Sequence, residues 1–498
     1  MNDKKKGLSF EELCTFLQQK GFVYGPEPEI YGGIAGFYTY GPLGKRLKNN
    51  VENTIRKVFT KYDFWEVECP TVMPAIVWKA SGHLEGFTDP VVICTKCKAQ
   101  YRADKLIKEK KFKCQNCGTQ LPGETRQQNL MMKTTIGTDT ESYNRPETAT
   151  TTYLPFLRYT KHFRDKLPFG IFQIGKAYRN EISPRQFIIR MREFTQAEGQ
   201  YFINPEDKNN FEQYEKVKNN EYNFYTAKIQ EEEKEAEKTT LDKALSKKHI
   251  GTKAYAWTLA VAQELFTQMG IPKEKIRFRQ HKKDEKAFYA SDAWDLEINT
   301  NALGWEEFCG IHDRTDYDLK QHEKHSGKEL IMNTEKGKVK PHILEIAFGT
   351  DRTLYAITDN AYTDDLQRGN KVLKFTPWMA PVQIGVFPLV NKLEEKAEEV
   401  YEILKKDFNA VYDRSGSIGR RYARADEQGI PHCITIDFET LDKKDATIRD
   451  RDSTEQIRIP LTEINKTIQE LTTGQKTWKE VTKGKTVIKQ EEKKGSSR

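Results

Sequence analysis

Residues 171–202 read IFQIGKAYRNEISPRQFIIRMREFTQAEGQYF. The pattern reads as two long strands joined by a turn at Ser183-Pro184-Arg185-Gln186. On that reading Arg179 and Glu181 share one face of the first strand, and Arg190, Arg192, Phe194, Gln196 and Glu198 share one face of the second. A single sheet face then offers arginines, a phenyl ring and carboxylates. Guanidinium forks grip phosphate oxygens, a phenyl ring stacks on a purine or a guanidinium, and a carboxylate holds an ammonium group. The set fits ATP together with an amino acid. Each residue taken alone fits better as a salt-bridged surface group; the set does not.

Outward from this segment, the 498 residues are 31% charged and 37% hydrophobic, the composition of a soluble globular chain long enough for two or three domains. No apolar run reaches the 18 residues of a membrane span. The start, MNDKKKGLSFEELC, reads as helix and lacks the apolar stretch of a secretion signal. The formal charge is +8, and residues 476–498 form a lysine-rich tail, compatible with an RNA partner or with a merely solubilising surface.

Cys94-x2-Cys97 and Cys114-x2-Cys117 form two knuckles, with Gly118 after the second as a tight turn needs. Four thiolates so spaced close around one tetrahedral ion and leave no open position, so the metal is structural. Zn2+ fits; the spacing does not exclude iron. Paired metal thiolates imply a reducing, cytoplasmic setting rather than a disulfide framework.

Three textures divide the chain. Residues 1–376 hold the unusual polar residues, with a zinc insertion over about 92–120 and a charged interruption over about 207–248. The latter contains KIQEEEKEAEKTTLDKALSKK and reads as a solvated helix. FTPWMAP reads as the linker into a second domain, residues 377–475, where VQIGVFPLV, FNAVYDR and HCITIDF are strands, residues 391–407 a helix, and IRDRDSTEQIRI a charged hairpin.

RNEISPR followed by RMREFTQAE resembles motif 2 of the class II aminoacyl-tRNA synthetases in its glycyl form. The likeness runs along most of the chain. A helix over residues 45–62, with Val51, Ile55, Val58 and Phe59 on one face, leads into WEVECPTVMP and resembles the motif 1 dimer interface. KASGHLEGFTDPVV and RPETA, LGWEEFCGIHDRTDYDL, LEIAFGTDR (motif 3) and GSIGRRYARADEQGIP (an anticodon-binding domain) resemble further blocks in the same order. The resemblance implies an α+β fold. It consists of an antiparallel-sheet catalytic domain carrying the zinc ribbon, followed by an α/β anticodon-binding domain. It also implies a homodimer acting on ATP with Mg2+, glycine and tRNA(Gly), with no membrane.

By position, the resemblance places Arg179 on the α-phosphate, Arg352 on the γ-phosphate, Arg190 on the bent ATP tail and Glu181 on the adenine amino group, with Phe194 stacked on adenine. Asn180, Met191, Glu307 and Phe308 complete the ATP site, with Glu307 near Mg2+. Glu147, Glu198 and Glu345 surround the glycine ammonium, and Arg314 reaches toward its carboxylate. Arg420, Arg421 and Arg424 are candidate phosphate contacts on tRNA, while His83 and His281 read as hydrogen-bonded histidines rather than bases. The chain departs from the family at Ala347, where a serine is usual, and at Thr150 and Thr151, where Gln-Gly is usual. Another class IIa amino-acid specificity, a non-catalytic relative and a generic zinc-ribbon RNA-binding protein are the alternative readings.

Overall fold

Alternation within HILEIAFG sets the architecture. Leu344, Ile346 and Phe348 are buried in the largest core, while Glu345 and Ala347 point to the opposite side. This strand is central in a nine-stranded sheet. In chain order the strands are β1 (Phe64–Glu66), β2 (Phe169–Tyr178), β3 (Glu193–Ile203), β4 (Glu221–Tyr225), β5 (Glu237–Thr240), β6 (Ile276–Gln280), β7 (Asp292–Thr300), β8 (Gly304–Thr315) and β9 (His342–Gly349). They lie side by side as β5-β4-β6-β7-β8-β9-β3-β2-β1, antiparallel except at the β4–β6 and β2–β1 pairs. The computed structural model describes residues 8–184, 186–287, 289–366 and 368–488.

One face of the sheet packs on helices. α1 (Phe10–Gln19) starts at a capping box between Ser9 and Glu12. α2 (Pro42–Lys61) begins with proline in its first turn and buries Leu47, Val51, Ile55, Val58 and Phe59. α3 (Lys253–Gln268), capped by Thr252, is buried nearly all round, and α4 (Thr350–Ala361) follows directly from β9. Phe59 comes so close to the sheet that a Cβ on Gly199 would lie 2.7 Å from its ring. The opposite face carries Gln173, Gln196, Glu198, His312, Glu345 and Asp295. Registers such as Gln173–Glu198, His312–Glu345 and Asp295–Gly310 put them side by side.

Three expectations change here. The motif 2 strands are not joined by a tight turn, because β2 stops at Tyr178 and β3 starts at Glu193. Arg179, Glu181, Arg190 and Arg192 therefore sit on a loop rather than a strand face. The loop has its own anchors: Phe187 and Ile188 are buried in a 3-10 turn, and Arg192 donates to the Glu181 and Ala35 carbonyls. Arg185 lies outside the described residues.

The charged interruption is not one solvated helix. Within it β4 and β5 extend the main sheet, and Tyr222 and Phe224, alternate residues of EYNFY, are buried in the core. Burial of two aromatics at a spacing of two outweighs the surrounding charge pattern. Finally, FTPWMAP is no solvated linker: Met379 and Ala380 are fully buried, and Asn50 Nδ2 donates to both of their carbonyls.

Beyond it, strands Ile384–Pro388, Ala410–Tyr412, His432–Ile436, Asp445–Asp450 and Gln456–Pro460 form a five-stranded sheet with its own core and flanking helices. Arg368 pairs with Asp426, and Arg451 donates to the Phe375 carbonyl, tying this unit to the first. The tail is partly structured: Trp478–Thr482 is a capped helix and Ile488 pairs with Gln456. Residues 1–7 and 489–498 lie outside the described residues. Among the described residues no helix is long and apolar enough to cross a membrane.

Candidate active site

The loop after β2, the ends of β3, β8 and β9 and the first turn of α4 enclose a cavity of about 400 Å3. Arg179, Glu181, Arg190, Met191, Phe194, Glu307, Phe308, Ala347 and Arg352 line it. Arg179 lies between two rings, 5.5 Å from the Phe87 centroid and 5.3 Å from that of Phe194, and its Nε donates to the Pro146 carbonyl. Arg352 lies 5.5 Å from the Phe308 centroid, and its Nε is buried without a hydrogen-bond partner. Among the described residues neither guanidinium forms an ion pair with a carboxylate. Two such cations around one cavity suit an anion of several charges.

The remaining cavity residues differ in how free they are. Arg190 Nε donates to Glu181 Oε2 at 2.7 Å, so these two form a pair rather than two independent contacts. Glu307 is pushed up by burial and by Asp295, with Arg352 opposing. Asn180 is exposed and absent from the lining. The start of α4 is fixed from below: Lys48 on α2 donates to Asp351 at 2.6 Å and to Thr195 Oγ1 at 2.7 Å, Tyr40 also donates to Asp351, and Asp351 accepts from the Thr195 amide.

Beside the cavity three glutamates share a buried space. Burial, then the charges of Glu147 and Glu345, raise Glu198 to about 8. Its oxygens accept from Thr148 Oγ1 at 2.7 Å and Gln196 Nε2 at 2.5 Å. Burial acts the same way on Glu147, but His83, Arg314 and the Thr150 hydroxyl outweigh it and hold the acid well below the usual carboxylate range. Glu345 likewise falls to about 2 under Arg314 and His312. Burial and its acidic neighbours therefore push Glu198 toward the protonated form, while Glu147 and Glu345 are held as carboxylates, and an incoming cation would favour ionisation of Glu198.

Arg314 is not free to reach outward. Its Nε and Nη2 donate to Asp318 at 2.7 and 2.8 Å, and Nη1 lies 3.2 Å from Glu345. Its guanidinium also lies 4.2 Å from the Tyr289 centroid. His83 Nδ1 is 2.7 Å from Ser81 Oγ and its Nε2 is 3.7 Å from Glu147, while His281 Nε2 is 2.9 Å from Asp295.

The cysteines form a separate site. Their four sulfurs lie within 4.8 Å of one another, with Cys94–Cys117 at 3.6 Å and Cys97–Cys114 at 3.4 Å. Metal–sulfur bonds of about 2.3 Å give tetrahedral edges near 3.8 Å, so this group can hold one metal ion. Its strands, Thr88–Ile93, Gln100–Arg102 and Arg126–Asn129, reach the motif 2 loop, where Ser183 Oγ donates to the Gln100 carbonyl.

In the C-terminal unit, Arg421 is buried with its guanidinium on the Pro388 and Gly416 carbonyls, and Arg424 pairs with Asp413. Burial and these backbone bonds place the Arg421 guanidinium away from the surface where the expected phosphate contact would be made. Sequence reading missed Asp351, Thr148, Lys48 and His312. Thr148 and His312 stood inside RPETA and HDR; nothing in the sequence links Lys48 to a residue some 300 positions away.

Residues 133–361 match the family model described as tRNA synthetase class II core domain (G, H, P, S and T), and residues 383–471 match the anticodon binding domain. The chain is 38% identical to the glycine-tRNA ligase of Methanococcus maripaludis over 91% of this chain and 98% of that relative. It is 36% identical to that of Pyrococcus horikoshii, over 93% and 99%. For Methanocaldococcus jannaschii the figures are 37%, over 91% and 97%.

Proposed function

The chain belongs to the glycine-tRNA ligase family of class II synthetases, and we propose a division of labour among its residues for charging tRNA(Gly) with glycine in two steps. ATP lies in the cavity beside the three glutamates. Arg179 holds the α-phosphate from between Phe87 and Phe194, and Phe194 stacks on adenine. Arg352 holds the γ-phosphate at the start of α4, where the helix end adds partial positive charge. Glu181 meets the adenine amino group while ordering Arg190. Glu307 would hold Mg2+, whose charge on the phosphates eases displacement of pyrophosphate.

Glu147, Glu198 and Glu345 bind the glycine ammonium. Arg314 acts beneath them, fixing Glu345, rather than on the glycine carboxylate, because Asp318 already takes two of its nitrogens. The glycine carboxylate attacks the α-phosphate in line, and a ribose hydroxyl of the tRNA end then attacks the adenylate carbonyl. Positioning and charge stabilisation carry both steps, with no side-chain nucleophile.

The four cysteines would hold Zn2+ in a structural role, since they leave no open position. A homodimer through the motif 1 elements would cover the exposed apolar residues Ile30, Tyr31 and Ile34 of the preceding loop. A cytoplasmic setting suits the metal thiolates.

The observation that carries this reading is two arginines around one cavity that, among the described residues, have no carboxylate ion-pair partner, set beside three glutamates, Glu198 and Glu345 buried and Glu147 half-buried. Amino-acid-dependent ATP–pyrophosphate exchange tests it. Exchange should need Mg2+ and respond to glycine among the standard amino acids. A response to proline, threonine or histidine instead, or to none, would sink it.

A further inference from the structure

His312 has no role in the assignments above, yet its position is unusual. It lies on β8 directly across from Glu345 on β9, and its Nδ1 is 2.9 Å from Glu345 Oε2. An ionised carboxylate only accepts, so Nδ1 carries the proton of this hydrogen bond. The ring leans back along its own strand. A Cβ built on Gly310 would fall 2.8 Å from His312 Cε1, so the imidazole fills the side-chain space that Gly310 lacks. On its other flank His281 meets it edge to face, with centroids 5.8 Å apart.

Gly310 is the cross-strand partner of Ala347, and Ala347's partner on the other side is Glu198. The floor beside the glutamates is therefore built from two small residues on adjacent strands. Were the space over Gly310 empty, it would join that over Ala347 into a recess with room for a substituent on the α-carbon of a bound amino acid. The imidazole closes half of it. Bulk that a serine at 347 would supply is here supplied from the neighbouring strand.

We propose that His312 is a positioning and specificity-determining residue of the glycine site: its ring over Gly310 excludes amino acids bearing a side chain, and its Nδ1–H holds Glu345 for the ammonium. This rests on the assignment of the three glutamates to glycine. A ring and a hydrogen bond make separable contributions, because asparagine keeps a donor at the Nδ1 place while losing the ring.

The test uses the full chain with His312→Ala and His312→Asn, assayed by pyrophosphate exchange with glycine and with alanine. In His312→Ala the glycine KM should rise several-fold with kcat little changed, as for lost binding common to ground and transition states. Its alanine-to-glycine ratio of kcat/KM should rise about tenfold or more, the usual worth of one methyl-sized discrimination. His312→Asn should restore the glycine KM and still admit alanine. A ratio unchanged in both variants overturns the specificity role. A glycine KM unchanged in His312→Ala, or unrestored by Asn, overturns the clamp. Should the alanine variant not fold, an unchanged ratio in the asparagine variant is sufficient to overturn the proposal. If the unmodified chain shows no glycine-dependent exchange, the glycine reading of the site falls, separately from His312.

Discussion

Arg179 and Glu198 show how two residues of one motif come to different chemistry. Arg179 is half-buried between two rings and, among the described residues, forms no ion pair with a carboxylate, so its charge is available to an anion in the cavity. Arg179→Ala should lower glycine-dependent exchange by orders of magnitude, one transition-state charge contact being worth about 3–4 kcal/mol; unchanged exchange would rule out its role. Glu198 instead is raised to about 8 by burial and its acidic neighbours. Below that pH the free site holds its proton, and the glycine ammonium favours the carboxylate, so binding expels a proton. Apparent glycine affinity should therefore climb as pH rises toward about 8 and then level. Glu198→Gln should bind glycine more weakly and lose this slope. A glycine KM independent of pH between 6 and 8 (roughly the window in which the raised acid titrates) would contradict the protonated state of Glu198.

Elements differ in how much of their position is local. The four-cysteine module has a small core of its own, with Val92, Tyr101, Ala103, Leu106 and Leu121 around Cys94 and Cys114, which is too little to fold without a cross-link. Cys114→Ser should lose the metal and the module's thermal stability, while the far-UV signal of the nine-stranded sheet persists. Metal-free protein with all four thiols freely reactive would show the reading to be wrong. α2, in contrast, is legible as an amphipathic helix, but its link to the cavity side of the sheet is not. Lys48 reaches Asp351, and hence the start of α4, only because both helices pack against the same sheet face.

At the scale of the whole molecule, the five-stranded unit is bound to the rest by Arg368–Asp426, by Arg451 on the Phe375 carbonyl and by Lys20–Glu427. A cut at residue 376 would remove Met379 and Ala380 from the larger core, so the truncated chain should end after Ala380. It should keep some exchange and charge tRNA poorly, and charging by the full chain should fall steeply with salt as phosphate contacts are screened. Equal charging by both chains would refute a tRNA role for the C-terminal unit.

The sequence alone marked the two sheet-bearing regions, the cysteine cluster and the motif residues, and through its resemblance to a family it implied the α+β class. Those features are written in periodicity, in Cys-x2-Cys spacing and in short motifs, all local in the chain. It did not determine that the motif 2 arginines leave the sheet, that EYNFY joins it, that Arg421 serves the backbone, or that Arg314 is held by Asp318. Nor did it determine that His312 stands over Gly310 next to Ala347. Each of these depends on which strands become neighbours and on what burial leaves a charge to pair with, and tertiary packing alone decides both.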